Sequence, residues 1–324
     1  MKKQLYIVIG ITVSAVLIAG LLLCCFGLKK TRYTAPLETK QEETIPPASL
    51  EEPKEDVSAS DKEQALEDHT FAIYVSGIDS FGAATVKGKS DVNVIAFIND
   101  MTHQILLVNT PRDYYVNTPV SGEYKDRLTY AGLWGPECSM GALADLYDCD
   151  IDYFFRINFS GFENVIDALG GIDYYFAKGY PAVHLNGEDA LLVARDRTTL
   201  GSETDRGIRH MQFITAIINK ALSTDVLYNY NNLLDAVSES FNTSVPYDLI
   251  SKLAKIQIEN NPSWEIITYA VTGKPDSAPC FSFLTYDDQG SVQVYVLEPD
   301  LETVQTARDL IASMERNETV YLPD

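Results

Sequence analysis

The chain has 324 residues, a formal net charge of -21 and 46% hydrophobic residues, which is enough apolar content for a packed core and excludes a disordered chain. So acidic a protein lacks the basic face that nucleic acid demands. Charge is uneven, however: seven of the ten arginines (Arg112, Arg127, Arg156, Arg195, Arg197, Arg206 and Arg209) fall between positions 112 and 209, compatible with a confined anion site.

In chain order, Leu5 to Leu28 contains no charged residue, and at about 1.5 Å rise per residue it is long enough to cross a hydrocarbon core of about 30 Å. The apolar run is too long for a cleaved leader and continues into Lys29-Lys30, so an uncleaved anchor over residues 1–30 is expected. Lys2 and Lys3 precede the span while Lys29, Lys30 and Arg32 follow it, so flanking charge alone does not orient it. Cys24 and Cys25 read as part of an apolar helix face. Residues 31–69 carry Pro36, Pro46, Pro47 and Pro53 among acidic pairs and read as a solvated stalk.

A folded domain is expected over 70–324, opening with a strand at Phe71–Val75 that runs into Ser76-Gly77-Ile78-Asp79. Two further strands, Asn93–Ile98 and Gln104–Val108, flank the turn-like Asn99–His103. Helical patterns follow at Ser139–Tyr147 and Phe159–Leu169, with a strand at Tyr153–Asn158 between them. Gly170-Gly171 stops the second helix before a strand at Ile172–Phe176. Gly187–Val193, Asp205–Leu222, Tyr230–Phe241 and Tyr247–Glu259 read as helices, Trp264–Val271 and Val292–Leu297 as strands, and Asp300–Met314 as a final helix. Interleaved strands and helices without repeats predict one α/β domain, or its α+β variant.

Several residues suit phosphate chemistry. Asp79 and Asp91 each adjoin a short polar or glycine stretch beside a strand, and two such carboxylates suit Mg²⁺, which is held by one or two carboxylates plus substrate phosphate. Turn-forming aspartates that cap their own backbone are the alternative. Arg112, in Thr110-Pro111-Arg112-Asp113, stands at a strand exit, where sites are often built. In Leu192–Arg197, read as strand-like or irregular, alternation aims Arg195 and Arg197 the same way, and a guanidinium fork matches phosphate oxygens. Arg206 and Arg209 open a helix, whose N-terminus also favours anions. A structural salt-bridge network is the competing account of these arginines. His69, His103, His184 and His210 are scattered, so no histidine-based mechanism is expected; Cys138, Cys149 and Cys280 have no metal-type spacing.

Taken together and in this order, an N-terminal anchor, Gly77-Ile78-Asp79, Lys89-Ser90-Asp91, Thr110-Pro111-Arg112-Asp113, Asp126-Arg127-Leu128-Thr129-Tyr130-Ala131, Asp167–Ile172 and Leu185–Leu191 with Ala194-Arg195-Asp196-Arg197 resemble the LytR-CpsA-Psr family of bacterial envelope proteins. The resemblance implies an α-β-α domain with a central mixed sheet, on the outer face of the membrane with the N-terminus inside. It implies a Mg²⁺-dependent phosphotransferase that moves a glycopolymer, such as teichoic acid or capsule, from a polyprenyl-pyrophosphate carrier to peptidoglycan. By motif, Asp79 and Asp91 are the Mg²⁺ carboxylates, and Arg112, Arg195 and Arg197 are catalytic arginines on the pyrophosphate. Arg127, Arg206 and Arg209 are further pyrophosphate ligands, with the choice between Arg206 and Arg209 open. Asp91 is also the candidate acceptor of the incoming hydroxyl's proton.

Lys89, Val92 and Thr129 depart from the family's frequent arginine, threonine and asparagine, and the stretch between Phe176 and His184 is short. The lipid calls for an apolar tunnel; Leu143, Leu146, Phe162, Val165, Ile166, Leu169, Ile214, Ile217 and Ile218 are candidate linings, though ordinary core suits each better. Two alternatives share the site residues: a non-catalytic or regulatory binder of lipid-linked glycan, and a polyprenyl-pyrophosphate hydrolase.

Overall fold

The computed structural model describes residues 69–81, 87–177, 179–196, 203–222, 240–246, 249, 262–283 and 292–323. The expected anchor and stalk, Arg197, and nearly all of the two helices expected between 230 and 259 lie outside the described residues. Among the described residues no helix is long and apolar enough to cross a membrane.

The elements in chain order are β1 (Thr70–Ile78), β2 (Ser90–Asn99), β3 (Gln104–Asn109), β4 (Tyr115–Asn117), β5 (Lys125–Arg127), α1 (Leu128–Ala131), α2 (Pro136–Tyr147), β6 (Tyr153–Ile157), α3 (Phe159–Ala168), β7 (Ile172–Tyr174) and β8 (Val183–Leu185). They continue with α4 (Gly187–Arg195), α5 (Glu203–Ala221), β9 (Phe241–Thr243), β10 (Glu265–Ala270), β11 (Gly273–Pro279), β12 (Gln293–Pro299) and α6 (Leu301–Glu315). Six strands form one mixed sheet in the order β10-β3-β2-β1-β6-β9. β1 pairs antiparallel with β2 and parallel with β6, while β3 pairs antiparallel with β2 and parallel with β10. The β2–β3 turn is fixed by Asn99, whose side-chain oxygen accepts from the N–H groups of Met101 and Thr102 at 2.9 and 2.8 Å, as Asn does in tight turns.

The central strands alternate between two buried faces. Tyr74, Ile95, Phe97, Leu106 and Val108 pack against Leu143 of α2 and against Ile311 and Met314 of α6. Ile73, Val94, Ala96 and Leu107 pack against Met211 and Ile218 of α5. The period of two in a strand sends neighbours to opposite faces, so a run buried throughout has to be sandwiched, and the result is the α-β-α layering. A third cluster joins α3, α4 and α5 to the β7–β8 hairpin. Of the nine candidate tunnel residues, Leu143, Ile166, Leu169 and Ile218 are buried in these clusters, and Leu146, Phe162, Val165, Ile214 and Ile217 pack against them partly buried.

Three local readings change. α2 begins at Pro136 rather than Ser139, because proline suits the first helical turn. Residues 192–195 belong to α4 and not to a strand-like stretch; Asn186 caps that helix by accepting from the N–H of Asp189 at 2.8 Å. β11 carries two prolines and exposed polar residues, so it has no apolar alternation to read. Among the described residues it pairs only with β12, and an edge strand of this kind tolerates proline.

Candidate active site

One end of the sheet gathers the expected site residues. The ladder sets Ile78 opposite Ser90, Val94 opposite Asn109 and Gly77 opposite Ile157, so the exits of β1, β3 and β6 and the start of β2 share an edge. Asp91 stands there in a bulge: Gly77 pairs with Val92 and Ile78 with Ser90, leaving Asp91 as the extra residue. A bulge re-aims its side chain out of the strand's alternation, and here it turns the carboxylate toward two arginines.

Arg112 Nη1 donates to Asp91 Oδ1 at 3.3 Å and Arg206 Nη2 donates to Asp91 Oδ2 at 3.2 Å. Asp113 continues the pattern, 3.5 Å from Arg112 Nε and 3.4 Å from Arg127 Nη1. Arg206, Asp91, Arg112, Asp113 and Arg127 thus form an alternating row, with three guanidiniums beside two carboxylates among the described residues. These side chains are only 10 to 25% exposed, so their fields are screened less than at an open surface. A row this rich in guanidiniums suits an anion.

The scaffold behind the row is close-packed. Gly207 lets the first turn of α5 approach the end of β3, where a Cβ would stand 2.3 Å from Asn109 Nδ2. Arg206 and Arg209 are buried there on adjacent turns of one helix face. Arg206 reaches Asp91, whereas Arg209 Nη2 donates to the Asp196 carbonyl at 2.8 Å, bracing the chain just after Arg195. Burial, followed by the charges of Arg206 and Arg209, pushes the pKa of His210 down to about 3, leaving a neutral ring too weak a base for proton abstraction near neutrality. Arg156 is buried in β6 and donates to the Gly132 carbonyl at 3.1 Å. Gly132 itself packs on the loop before Asp91, where a Cβ would meet the Gly88 carbonyl oxygen at 2.6 Å and the Ser90 nitrogen at 2.8 Å.

Arg195 is exposed at the end of α4, its guanidinium 4.4 Å from the centre of the Phe159 ring, which packs edge-on with Phe81. Asp79 is exposed just past β1, its N–H donating to the Lys89 carbonyl at 3.4 Å. Among the described residues no cluster of three or more His, Cys, Asp or Glu could hold a metal. Asp79 and Asp91 are two carboxylates only, so a hard cation held by them would need phosphate oxygens to complete its shell.

The sequence points to strand ends for Asp79, Asp91 and Arg112, and the structure has all three near this edge; the sequence offers Asp113 only as a neighbour of Arg112, and says nothing of where Arg127 sits. It missed the aromatic side of the cleft. A cleft of about 350 Å³ is lined by Lys89, Asp91, Arg112, Asp113, Arg127, Thr129, Tyr130 and Tyr295. Arg127 lies 4.7 Å from the Tyr130 ring and 5.6 Å from that of Phe283, and Lys89 Nζ lies 5.0 Å from Tyr130. Tyr130 belongs to a motif visible in the sequence. Phe283 and Tyr295 carry no local signal.

The model of the LytR_cpsA_psr family matches residues 37–307. An uncharacterized protein of Staphylococcus aureus is 28% identical over 76% of this chain, which spans 62% of that relative's length. The polyisoprenyl-teichoic acid--peptidoglycan teichoic acid transferase TagU of Enterococcus faecalis is 29% identical over 64% of this chain and 72% of its own. Among solved structures, TagV of B. subtilis aligns over 78% of this chain and all of its own with a TM-score of 0.62 at 23% identity. The LytR-CPS2A-psr family protein YwtF (TagT) with bound octaprenyl pyrophosphate lipid aligns over 76% of this chain and 91% of its own with a TM-score of 0.54 at 21% identity. At such identities the structural likeness bears on the fold, and it confirms the single α/β domain with a central mixed sheet.

Proposed function

The chain belongs to the LytR_cpsA_psr family, and from that premise we propose that it is a membrane-anchored, extracytoplasmic phosphotransferase. Its reaction moves a glycopolymer such as teichoic acid from a polyprenyl-pyrophosphate carrier to a peptidoglycan hydroxyl. Residues 1–30 are the anchor with a cytoplasmic N-terminus, 31–69 the stalk and 70–324 the catalytic domain. The observation that carries this reading is the alternating row from Arg206 to Arg127, which joins residues far apart in sequence at one edge and sets three guanidiniums there among the described residues. The names of relatives as teichoic acid transferases and the octaprenyl pyrophosphate in a structural neighbour support the choice of substrate.

The acceptor oxygen forms a bond to the sugar-side phosphorus while the bond from that phosphorus to the bridging oxygen breaks. Polyprenyl phosphate leaves with the electron pair. Such transition states are loose, and catalysis consists mostly of positioning and charge stabilisation. Arg112 grips the phosphates from the strand exit, and Arg206 and Arg127 set the field on either side. Arg195 holds the leaving phosphate from the end of α4, and Arg197 is its partner by motif. Asp91 accepts the hydroxyl proton as its oxygen bonds to phosphorus. Mg²⁺, when bound through Asp79 and Asp91, supplies further neutralisation of the pyrophosphate oxygens.

The test incubates the full-length chain in detergent with a short polyprenyl-pyrophosphate glycan, a peptidoglycan oligomer and Mg²⁺, and follows products by mass spectrometry. A phosphodiester-linked glycan with released lipid monophosphate is expected, absent in Arg112→Ala and after chelation by EDTA. Lipid monophosphate without linked glycan would instead identify a hydrolase, and tight binding without turnover a carrier or regulatory protein.

A further inference from the structure

The edge that holds Asp91 has two sides, and the step proposed above puts the leaving lipid phosphate on one of them. α5, which carries Arg206, packs on the sheet face of Ile73, Val94 and Leu107, and α4, which ends at Arg195, packs beside α5. Leu128 of α1 and Leu143 of α2 pack on the opposite face, with Tyr74, Ile95 and Leu106. In phosphoryl transfer the attacking and leaving oxygens lie roughly in line through the phosphorus. The acceptor hydroxyl therefore arrives from the side of α1 and α2.

That side carries an exposed aromatic turn. Gly132–Trp134 make one 3-10 turn between α1 and α2, with Leu133 39% and Trp134 53% exposed. The turn is firmly seated: the Gly132 carbonyl accepts from Arg156 Nη2 and from the Gly135 N–H, and Gly132 itself packs on Gly88 and Ser90, next to Asp91. Trp134 thus stands two residues from a contact with the strand that bears the proton acceptor, and its ring has no aromatic or cationic partner among the described residues. Beside it, Gly135 takes a φ of 116°, and the Cβ it lacks would lie 3.0 Å from Glu137 Oε2, so glycine both permits the turn and leaves room for that carboxylate. Glu137 is exposed. A ring with a carboxylate beside it suits a hexosamine, whose C–H face lies against the ring while its hydroxyl or amide donates to the carboxylate. Single exposed apolar residues are ordinary; this one stands beside Asp91, on the side from which the acceptor comes.

We infer that Trp134 and Glu137 form a platform for the acceptor glycan. One N-acetylhexosamine of the peptidoglycan strand stacks on the Trp134 ring and donates to Glu137, which brings a hydroxyl of the strand to Asp91. Asp91 takes the proton of that hydroxyl as its oxygen bonds to phosphorus and the lipid phosphate leaves on the far side. The inference rests on the transferase reading above and adds which residues hold the acceptor.

The chain has two tryptophans, and Trp264 lies against His103 at the opposite end of the sheet. Trp264→Phe therefore leaves Trp134 as the reporter. In that full-length variant in detergent, a tetramer of β-1,4-linked N-acetylglucosamine is expected to blue-shift the emission saturably. In transfer assays on the wild-type background, Trp134→Leu is expected to raise the KM for the peptidoglycan oligomer about 10-fold and to leave the KM for the lipid donor unchanged. Trp134→Tyr returns it to within about 3-fold of wild type, and Glu137→Ala raises it about 3-fold. An emission that ignores the tetramer overturns the platform, and so does an equal rise of both KM values in Trp134→Leu. A blue shift in phosphatidylglycerol vesicles without any response to the tetramer places the ring at the membrane surface and overturns it too. If the wild type transfers glycan while emission and acceptor KM stay unmoved, the platform falls and the transferase stands. If the wild type transfers nothing, the transferase reading falls and takes the acceptor role with it, even where the tetramer still moves the emission.

Discussion

Asp91 and Asp79 leave the same β1–β2 ladder and were equally plausible in sequence, yet they sit in different surroundings. Asp91 is fixed by a bulge and by two arginines, one of them 115 residues away. Asp79 is exposed, and Arg195 on the neighbouring helix end has an aromatic face rather than a described carboxylate partner. The inner region is thus set before any ligand arrives, while the outer region offers groups that a ligand can order. Preorganised charges favour the transition state, because they need little reorganisation as charge develops. Exposed charges contribute chiefly to binding.

The sharpest way to break this contrast is Asp91→Ala, which removes the carboxylate that bridges Arg112 and Arg206. Transfer is expected to fall by more than about 100-fold, and stability by about 3 kcal/mol, read from product assays and urea denaturation. If stability is unchanged, the row is not a preformed unit. A smaller effect is expected from Gly132→Ala, whose added Cβ collides with backbone at Gly88 and Ser90. Overpacking of this kind costs about 2 kcal/mol, and displacement of the following Asp91 should lower kcat more than it raises KM. Gly207→Ala meets only a side-chain amide and should be milder by the same assays.

The outer region should respond least. Phe159→Leu removes the ring under Arg195, and an exposed cation–π contact contributes about 0.5–1 kcal/mol. A rise of roughly 3-fold in KM for the lipid donor is therefore expected, with kcat nearly unchanged; Phe159→Tyr should restore it. A loss in kcat comparable to that of Asp91→Ala would erase the distinction between the two regions.

Much of this was legible in the chain. The apolar runs of β2 and β3, the Asn99 turn and the Gly170-Gly171 stop are local signals, and each is written in a few consecutive residues. The positions of Asp79, Asp91 and Arg112 near strand ends follow from those same signals. Helix and strand were confused at Leu192–Arg195 because a short apolar stretch fits both periods, and β11 was missed because its prolines are tolerated only by an edge that pairing creates.

By itself, then, the sequence determined five of the six strands of the main sheet and the longer helices, the acidic composition with its arginine-rich middle, and the strand ends at which chemistry would gather. The tertiary structure decided how those charges meet. The bulge at Asp91 depends on the register between two strands, the choice of Arg206 over Arg209 as its partner depends on how closely Gly207 lets α5 approach β3, and Tyr295 reaches the cleft only through the pairing of β12 beside Asp113. Each is a relation between segments that no short stretch encodes, since register and helix approach are set by packing over the whole core rather than by the propensities of the residues concerned.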